Sequence, residues 1–145
     1  MSRFVEPTLR LPRREYLKLI GHCYDGLPDE ACGLMGGRFD RGTVEAFVPA
    51  RNADASSRTY SIGPDGFAAA EATFDPRGLD VVGVMHSHTH TDAYPSPTDV
   101  DKGDNPLLEG WHFVIVSLRA DAPVLRSYQF VDRTIREEVV EVVGR

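Results

Sequence analysis

An apolar run from Leu79 to Met85 leads without a break into His86-Ser87-His88, and this junction constrains the chain more than any other stretch. A short, nearly continuous apolar segment reads as a strand buried on both faces. Alternate side chains of a strand share a face, so His86 and His88 point the same way and Ser87 points away. Two neutral imidazoles and one carboxylate, with the fourth position left to water, are a common protein set for a catalytic zinc. Asp99 is the best candidate for the carboxylate. Thr89 to Pro95 reads as a loop that carries the chain back, and Pro95 and Pro97 flank a turn that opens a helix over Ser96 to about Lys102. Ser96 suits the N-cap of that helix. A residue three positions later lies on the same side of the first turn, so Ser96 and Asp99 can both face the ion. His90 shares the strand parity but falls in the loop and reads as a rim residue. Asp92 and Asp101 read as solvated acids.

The remaining segments arrange themselves around that strand. Pro12 to about Asp25 has the look of an amphipathic helix, with Pro12 in its first turn and Leu17, Ile20, Tyr24 and Leu27 at helical spacing. Glu30 to Phe39 and Thr43 to Val48 read as strands joined by the turn Asp40-Arg41-Gly42. Arg51 to Arg58 is polar and loop-like, Thr59 to Ile62 reads as a short strand, and Pro64 to Phe74 as a second helix. Trp111 to Leu118, Val124 to Val131 and Thr134 to Val143 read as strands, the last because four valines outweigh its helix-compatible length. The order is mixed rather than alternating. The expectation is an α/β (α+β) fold, one domain over residues 1–145, with a mixed sheet flanked by helices.

Composition narrows the function classes. Sixteen basic and 22 acidic residues give a net charge of −6, which argues against nonspecific nucleic-acid or anionic-membrane partners. No apolar run approaches the roughly 18 residues of a membrane span. Met1 to Pro7 lacks the regions of a signal peptide, so a cytoplasmic location is the expectation. Two cysteines are too few for a disulfide framework, and Cys23 and Cys32 have no metal-ribbon or redox spacing. Cys32, in the small-residue stretch Ala31-Cys32-Gly33-Leu34, reads as a small buried hydrophobe.

The pattern His86-Ser87-His88, seven residues, Ser96, two residues, Asp99 resembles the signature of the JAMM (MPN-plus) metallopeptidases. The segment Pro28-Asp29-Glu30-Ala31-Cys32-Gly33-Leu34-Met35-Gly36-Gly37 is similar to that family's first-strand segment, with Glu30 at the position of the general base. The resemblance runs from about Leu11 to about Asp132 and is closest to short prokaryotic members that act on sulfur-carrier proteins. It implies a curved sheet between helices, similar to the deaminase-like fold. It also implies Zn2+ held by His86, His88 and Asp99, catalysis by Glu30 and Ser96, and Ser87 as a supporting residue that holds the loop. The implied reaction is hydrolysis after the Gly-Gly tail of a ubiquitin-like or sulfur-carrier protein, with water activated by zinc. Members often pair, so a homodimer is also expected.

Two other readings stay open within the family: an isopeptidase that removes ubiquitin-like tags from conjugates, and a silent MPN scaffold. Scaffold members lose ligands, whereas this chain keeps every motif residue. The segments after the first strands and after the Asp99 helix are short, which suits a carrier with a small adduct better than polyubiquitin. Zinc deaminases need a paired-cysteine motif that is missing here, and barrel amidohydrolases need about 250 residues.

Overall fold

The computed structural model describes residues 8–144; the N-terminal heptapeptide, on which the signal-peptide reading rests, lies outside them. Its spine is β4, Asp80–His88, buried over seven consecutive residues. One neighbour is β2 (Cys32–Arg38), antiparallel, with Cys32 opposite His86 and Leu34 opposite Val84. The other is β5 (His112–Ser117), parallel, with His86 beside Ile115 and His88 beside Ser117. Burial on both faces explains why β4 carries almost no polar residue until its C-terminal end.

Hairpins extend the sheet on either side. β2 turns into β3 (Thr43–Ala50) through a single 3-10 turn and Gly42, whose φ of 59° is left-handed. β5, β6 (Val124–Val131) and β7 (Thr134–Val143) form an antiparallel meander. Asp132 and Arg133 both have positive φ, as a tight two-residue hairpin requires.

A strand absent from the sequence reading closes the sheet. β1, Thr8–Pro12, runs parallel to β7 from Thr8↔Val139 to Pro12↔Val143 and touches β3 through Arg10↔Thr43. The order is therefore β1-β3-β2-β4-β5-β6-β7 and back to β1. Pro12 belongs to this strand, and helix α1 begins one residue later, Arg13–Asp25.

Each face of the sheet carries its own core. Leu9, Leu11, Met35, Val44, Val82, Met85, Val114 and Val116 pack on one face with Leu19 and Cys23 of α1. Leu34, Val84, Phe113, Ile115, Tyr128 and Phe130 pack on the other with Ala70 and Phe74 of α2, Pro64–Phe74. Strand parity puts His86 and His88 on this second face. The expected stripe of α1 is displaced: the packed residues are Tyr16, Leu19, Ile20 and Cys23, at spacings that share one helix face, while Leu17 is 61% exposed. Thr59 to Ile62 is not a strand. Ile62 forms one isolated bridge with Asn52, and Tyr60 is turned onto His86 instead.

The third helix, α3 (Pro97–Gly103), lies where the serine and the prolines place it. No helix among the described residues is long and apolar enough to cross a membrane.

Closure by β1 makes a sharp energetic contrast. Leu11→Ala, which empties a fully buried site, lowers the unfolding free energy by about 2–5 kcal/mol. Leu17→Ala, on the solvent side of α1, changes it by less than about 0.5 kcal/mol. Urea denaturation of the two variants measures both.

Candidate metal centre

The end of β4 delivers two imidazoles to one spot, both nearly inaccessible: His86 is 3% and His88 5% exposed. The third donor arrives by helix capping. Ser96 Oγ accepts the Asp99 amide at 3.1 Å, and Asp99 Oδ2 accepts the Ser96 amide at 2.9 Å. This reciprocal box fixes the start of α3 and the direction of the Asp99 carboxylate together. The loop between β4 and α3 is pinned to its surroundings. Thr89 Oγ1 donates to Pro28 O (3.1 Å), Ser117 Oγ to Thr91 O (2.6 Å), and the Tyr128 hydroxyl to Ala93 O.

His86 Nε2, His88 Nε2 and Asp99 Oδ2 form a triangle with edges of 3.1, 3.3 and 3.2 Å. Each atom faces two others from nearly the same direction, so protons in linear hydrogen bonds cannot serve all three edges. A zinc ion with bonds of about 2.0–2.1 Å sets tetrahedral ligand atoms about 3.3–3.4 Å apart. The triangle fits that face, and a fourth corner is left over. His88 Nδ1 donates to Asp92 O at 2.7 Å, which fixes the tautomer and turns the Nε2 lone pair of neutral His88 towards the centre.

The electrostatics match a cation site. Burial holds His86 below the ordinary imidazole value although Asp99 adjoins it. Burial pulls His88 the same way, but its bonds to Asp99 and the Asp92 carbonyl and the charges of Asp99 and Glu30 outweigh it and raise its pKa. Burial pushes Asp99 up, yet hydrogen bonds from His86, His88 and the Ser96 amide hold it well below the usual carboxylate range.

Glu30 lies just before β2 and is buried. Desolvation is the main cause that raises its pKa to about 7; the charge of His88 opposes the rise and that of Asp99 adds to it. Ser87 faces away from the imidazoles. Its Oγ accepts the Ala31 amide at 2.8 Å, and its own amide donates to Ala31 O at 2.9 Å. The structure thus brings Glu30, His86, His88, Ser96 and Asp99 into one neighbourhood. His90 is exposed on the loop, and among the described residues the cluster of donors is His86, His88 and Asp99 alone. Cys23 and Cys32 are both free and buried.

Three contributors escape a reading of side-chain types. Asp92 acts through its backbone carbonyl. Tyr60 stacks on the His86 ring, with centroids 4.3 Å apart and planes 17° apart. Lys102 of α3 donates to Tyr60 O at 2.6 Å. An apolar cavity of about 380 Å³ adjoins this stack, lined by Leu34, Tyr60, Ile62, Val84, Trp111 and Phe113 among others. Trp111 is half-buried at its wall.

Fold and donor set together place three donors that could hold one cation at the end of a central strand. The chain belongs to the prokaryotic homologs of the JAB domain, a family that matches residues 12–131. It is 37% identical over 127 residues to the CysO-cysteine peptidase of Mycobacterium tuberculosis, covering 86% of this chain and 84% of that protein. It is 32% identical over 104 residues to the desampylase of Haloferax volcanii, covering 68% and 73% respectively. The solution structure of protein DSY2949 from Desulfitobacterium hafniense superposes with a TM-score of 0.84 at 29% identity, covering 94% of both chains.

Two outcomes test the centre. Protein stripped of metal and dialysed against zinc takes up one ion per chain by elemental analysis. Asp99→Asn weakens this uptake at least about tenfold, and His90→Ala leaves it unchanged. The pH dependence of stability tests Glu30. A pKa raised from 4.5 to about 7 on folding stabilises the metal-free protein fully below 4.5, and that stability is lost as pH rises through 7. Glu30→Gln removes the dependence, so above pH 7 the metal-free variant is more stable than the metal-free wild type by about 1–3 kcal/mol. Thermal melts from pH 4 to 8 read the difference.

Proposed function

We propose that the protein is a zinc-dependent peptidase that hydrolyses the bond after the Gly-Gly tail of a ubiquitin-like or sulfur-carrier protein. The observation that carries this reading is the triangle of His86, His88 and Asp99 with one corner open and the buried carboxyl of Glu30 in its field. The names of the mycobacterial and haloarchaeal relatives support the substrate class. Zinc held by these three residues would supply Lewis acidity, acidifying water and polarising a carbonyl.

The chain's own groups account for the proton movements. Glu30, with a pKa near working pH, accepts a proton from the attacking water and returns it to the leaving amine. Ser96 Oγ already accepts the Asp99 amide, so its own proton is free to donate to the oxygen that becomes negative in the transition state. The apolar cavity beside Tyr60 continues down the same sheet face through Val84 and Leu34. It offers apolar contact to the residues that precede the glycines. Glycine at the scissile end permits close backbone approach to a centre walled by His86 and Tyr60.

The test is intact-mass spectrometry of a carrier protein extended by one cysteine past its Gly-Gly. Zinc-loaded wild type removes the cysteine, and Glu30→Gln slows removal at least about a hundredfold. Cleavage of isopeptide-linked conjugates with the extended carrier left intact would replace this reading by tag removal. No cleavage of either by zinc-loaded protein would overturn it.

A further inference from the structure

The segment 51–62 joins β3 to α2 without regular structure, apart from the single bridge between Asn52 and Ile62. Backbone polar groups in such a segment need partners, and one side chain binds four of them together with the Glu30 carbonyl. Asn52 Nδ2 donates to the carbonyls of Glu30 (3.0 Å), Thr59 (2.9 Å) and Ser56 (3.4 Å). Asn52 Oδ1 accepts the amides of Asp54 (3.0 Å) and Ser61 (3.2 Å). The surroundings dictate this amide orientation: a flip would set the oxygen against three carbonyls and the NH2 group against two N–H donors.

Glu30 precedes the first residue of β2, so no strand ladder holds it. Its carbonyl is bound by Asn52, and its amide donates to Ser56 O at 2.8 Å, a carbonyl that Asn52 also holds. At its far end the same segment reaches the other arms of the site. The Tyr60 ring stacks on His86, and Tyr60 O accepts Lys102 Nζ from α3, the helix that carries Asp99. The Lys102 ammonium also lies 5.3 Å from the Tyr60 ring centroid.

We propose that Asn52 is a positioning residue: by knitting segment 51–62 it fixes the backbone of Glu30, and through it the carboxyl, against the metal centre. The proposal rests on the reading of Glu30 as the base. A displacement of about 1 Å at a reacting group is enough to slow a reaction on the order of a hundredfold. The Asn52 side chain, whose two amide protons reach three carbonyls, is bonded to backbone alone and touches no reacting atom, so its loss is read on turnover.

The test compares Asn52→Asp and Asn52→Ala as zinc-loaded proteins on the cysteine-extended carrier. Asp keeps the shape but turns a carboxylate oxygen towards three carbonyls, whereas Ala deletes the bonds without adding charge. The expected result is a fall in kcat of at least about tenfold, with KM within about twofold and zinc still at one per chain. In a Glu30→Gln background, followed over long single-turnover reactions, either change adds nothing. An equal loss in both backgrounds, or a loss that tracks zinc content, overturns the proposal. Hydrogen exchange provides a readout that needs no substrate: the Glu30 amide exchanges at least about tenfold faster in the variants, while amides of β4 and β5 keep their protection. Unchanged exchange at Glu30 overturns the proposal whatever the activity. A wild type that cleaves no carrier sinks the functional reading alone, and exchange at Glu30 still decides the role of Asn52. Should Asn52→Asp fail to fold, Asn52→Ala carries the same readouts.

Discussion

The paired contact between Ala31 and Ser87 is the hinge pin of this molecule. Ser87 Oγ accepts the Ala31 amide, and the Ser87 amide donates to the Ala31 carbonyl. One residue to either side of Ser87 are the imidazoles, and one residue before Ala31 is Glu30. The contact continues the β2–β4 pairing one step beyond Cys32↔His86, with a side chain standing in for a backbone acceptor. Ser87 is fully buried, so its hydroxyl cannot turn to water when the partner amide moves. A hydroxyl at this place ties the segment of Glu30 to β4 without occupying the face of His86 and His88, because strand parity sends it to the opposite side.

The same economy governs Asp99. In a helix cap the first-turn carboxylate ordinarily satisfies orphan amides. Here one oxygen, Asp99 Oδ2, does that for Ser96 and also faces both imidazoles. Capping therefore orients the carboxylate towards both imidazoles. The arrangement gathers two buried imidazole nitrogens and a partly buried carboxylate oxygen within about 3.3 Å of one another. Such crowding of polar atoms is expected where function outranks stability. Apolar layers on both faces of β4, sealed by a closed sheet, stabilise the fold around it.

Legibility in the sequence followed the range of the interactions involved. β4 with its histidines, the Ser96–Asp99 cap, α2, β6 and β7 are specified by neighbours along the chain, and their patterns could be read directly. β1 is held by β7 and β3, far away in sequence, and its five residues end in a proline that reads equally well as a helix start. The face of α1 was misjudged because Leu17, Tyr24 and Leu27 are apolar yet exposed, while the small Cys23 is buried. The contributors missed at the centre work through groups that composition does not display: the Asp92 carbonyl, the stacking face of Tyr60, and the five hydrogen bonds of Asn52. For Asn52 a signal existed. An amide residue at the start of a polar loop that leaves a strand is a frequent organiser of turns, and Asn52-Ala53-Asp54 fits that description.

One residue shows how burial keeps the donor set in order. Cys32 stands opposite His86 in the β2–β4 register and so shares its face of the sheet. A thiolate there would be a strong zinc ligand and would compete for the corner left open. Desolvation, helped by the negative charges of Glu30 and Asp54, raises the Cys32 thiol to about 11. Its proton is directed to Ala50 O, 3.8 Å away in the neighbouring strand. The thiol therefore behaves as a small apolar side chain, and the centre keeps two nitrogens and one oxygen. The larger of the two charges that add to this rise is that of Glu30, itself buried two residues away. Desolvation is thus the largest cause of both shifts, that of the Glu30 carboxyl to about 7 and that of the Cys32 thiol to about 11.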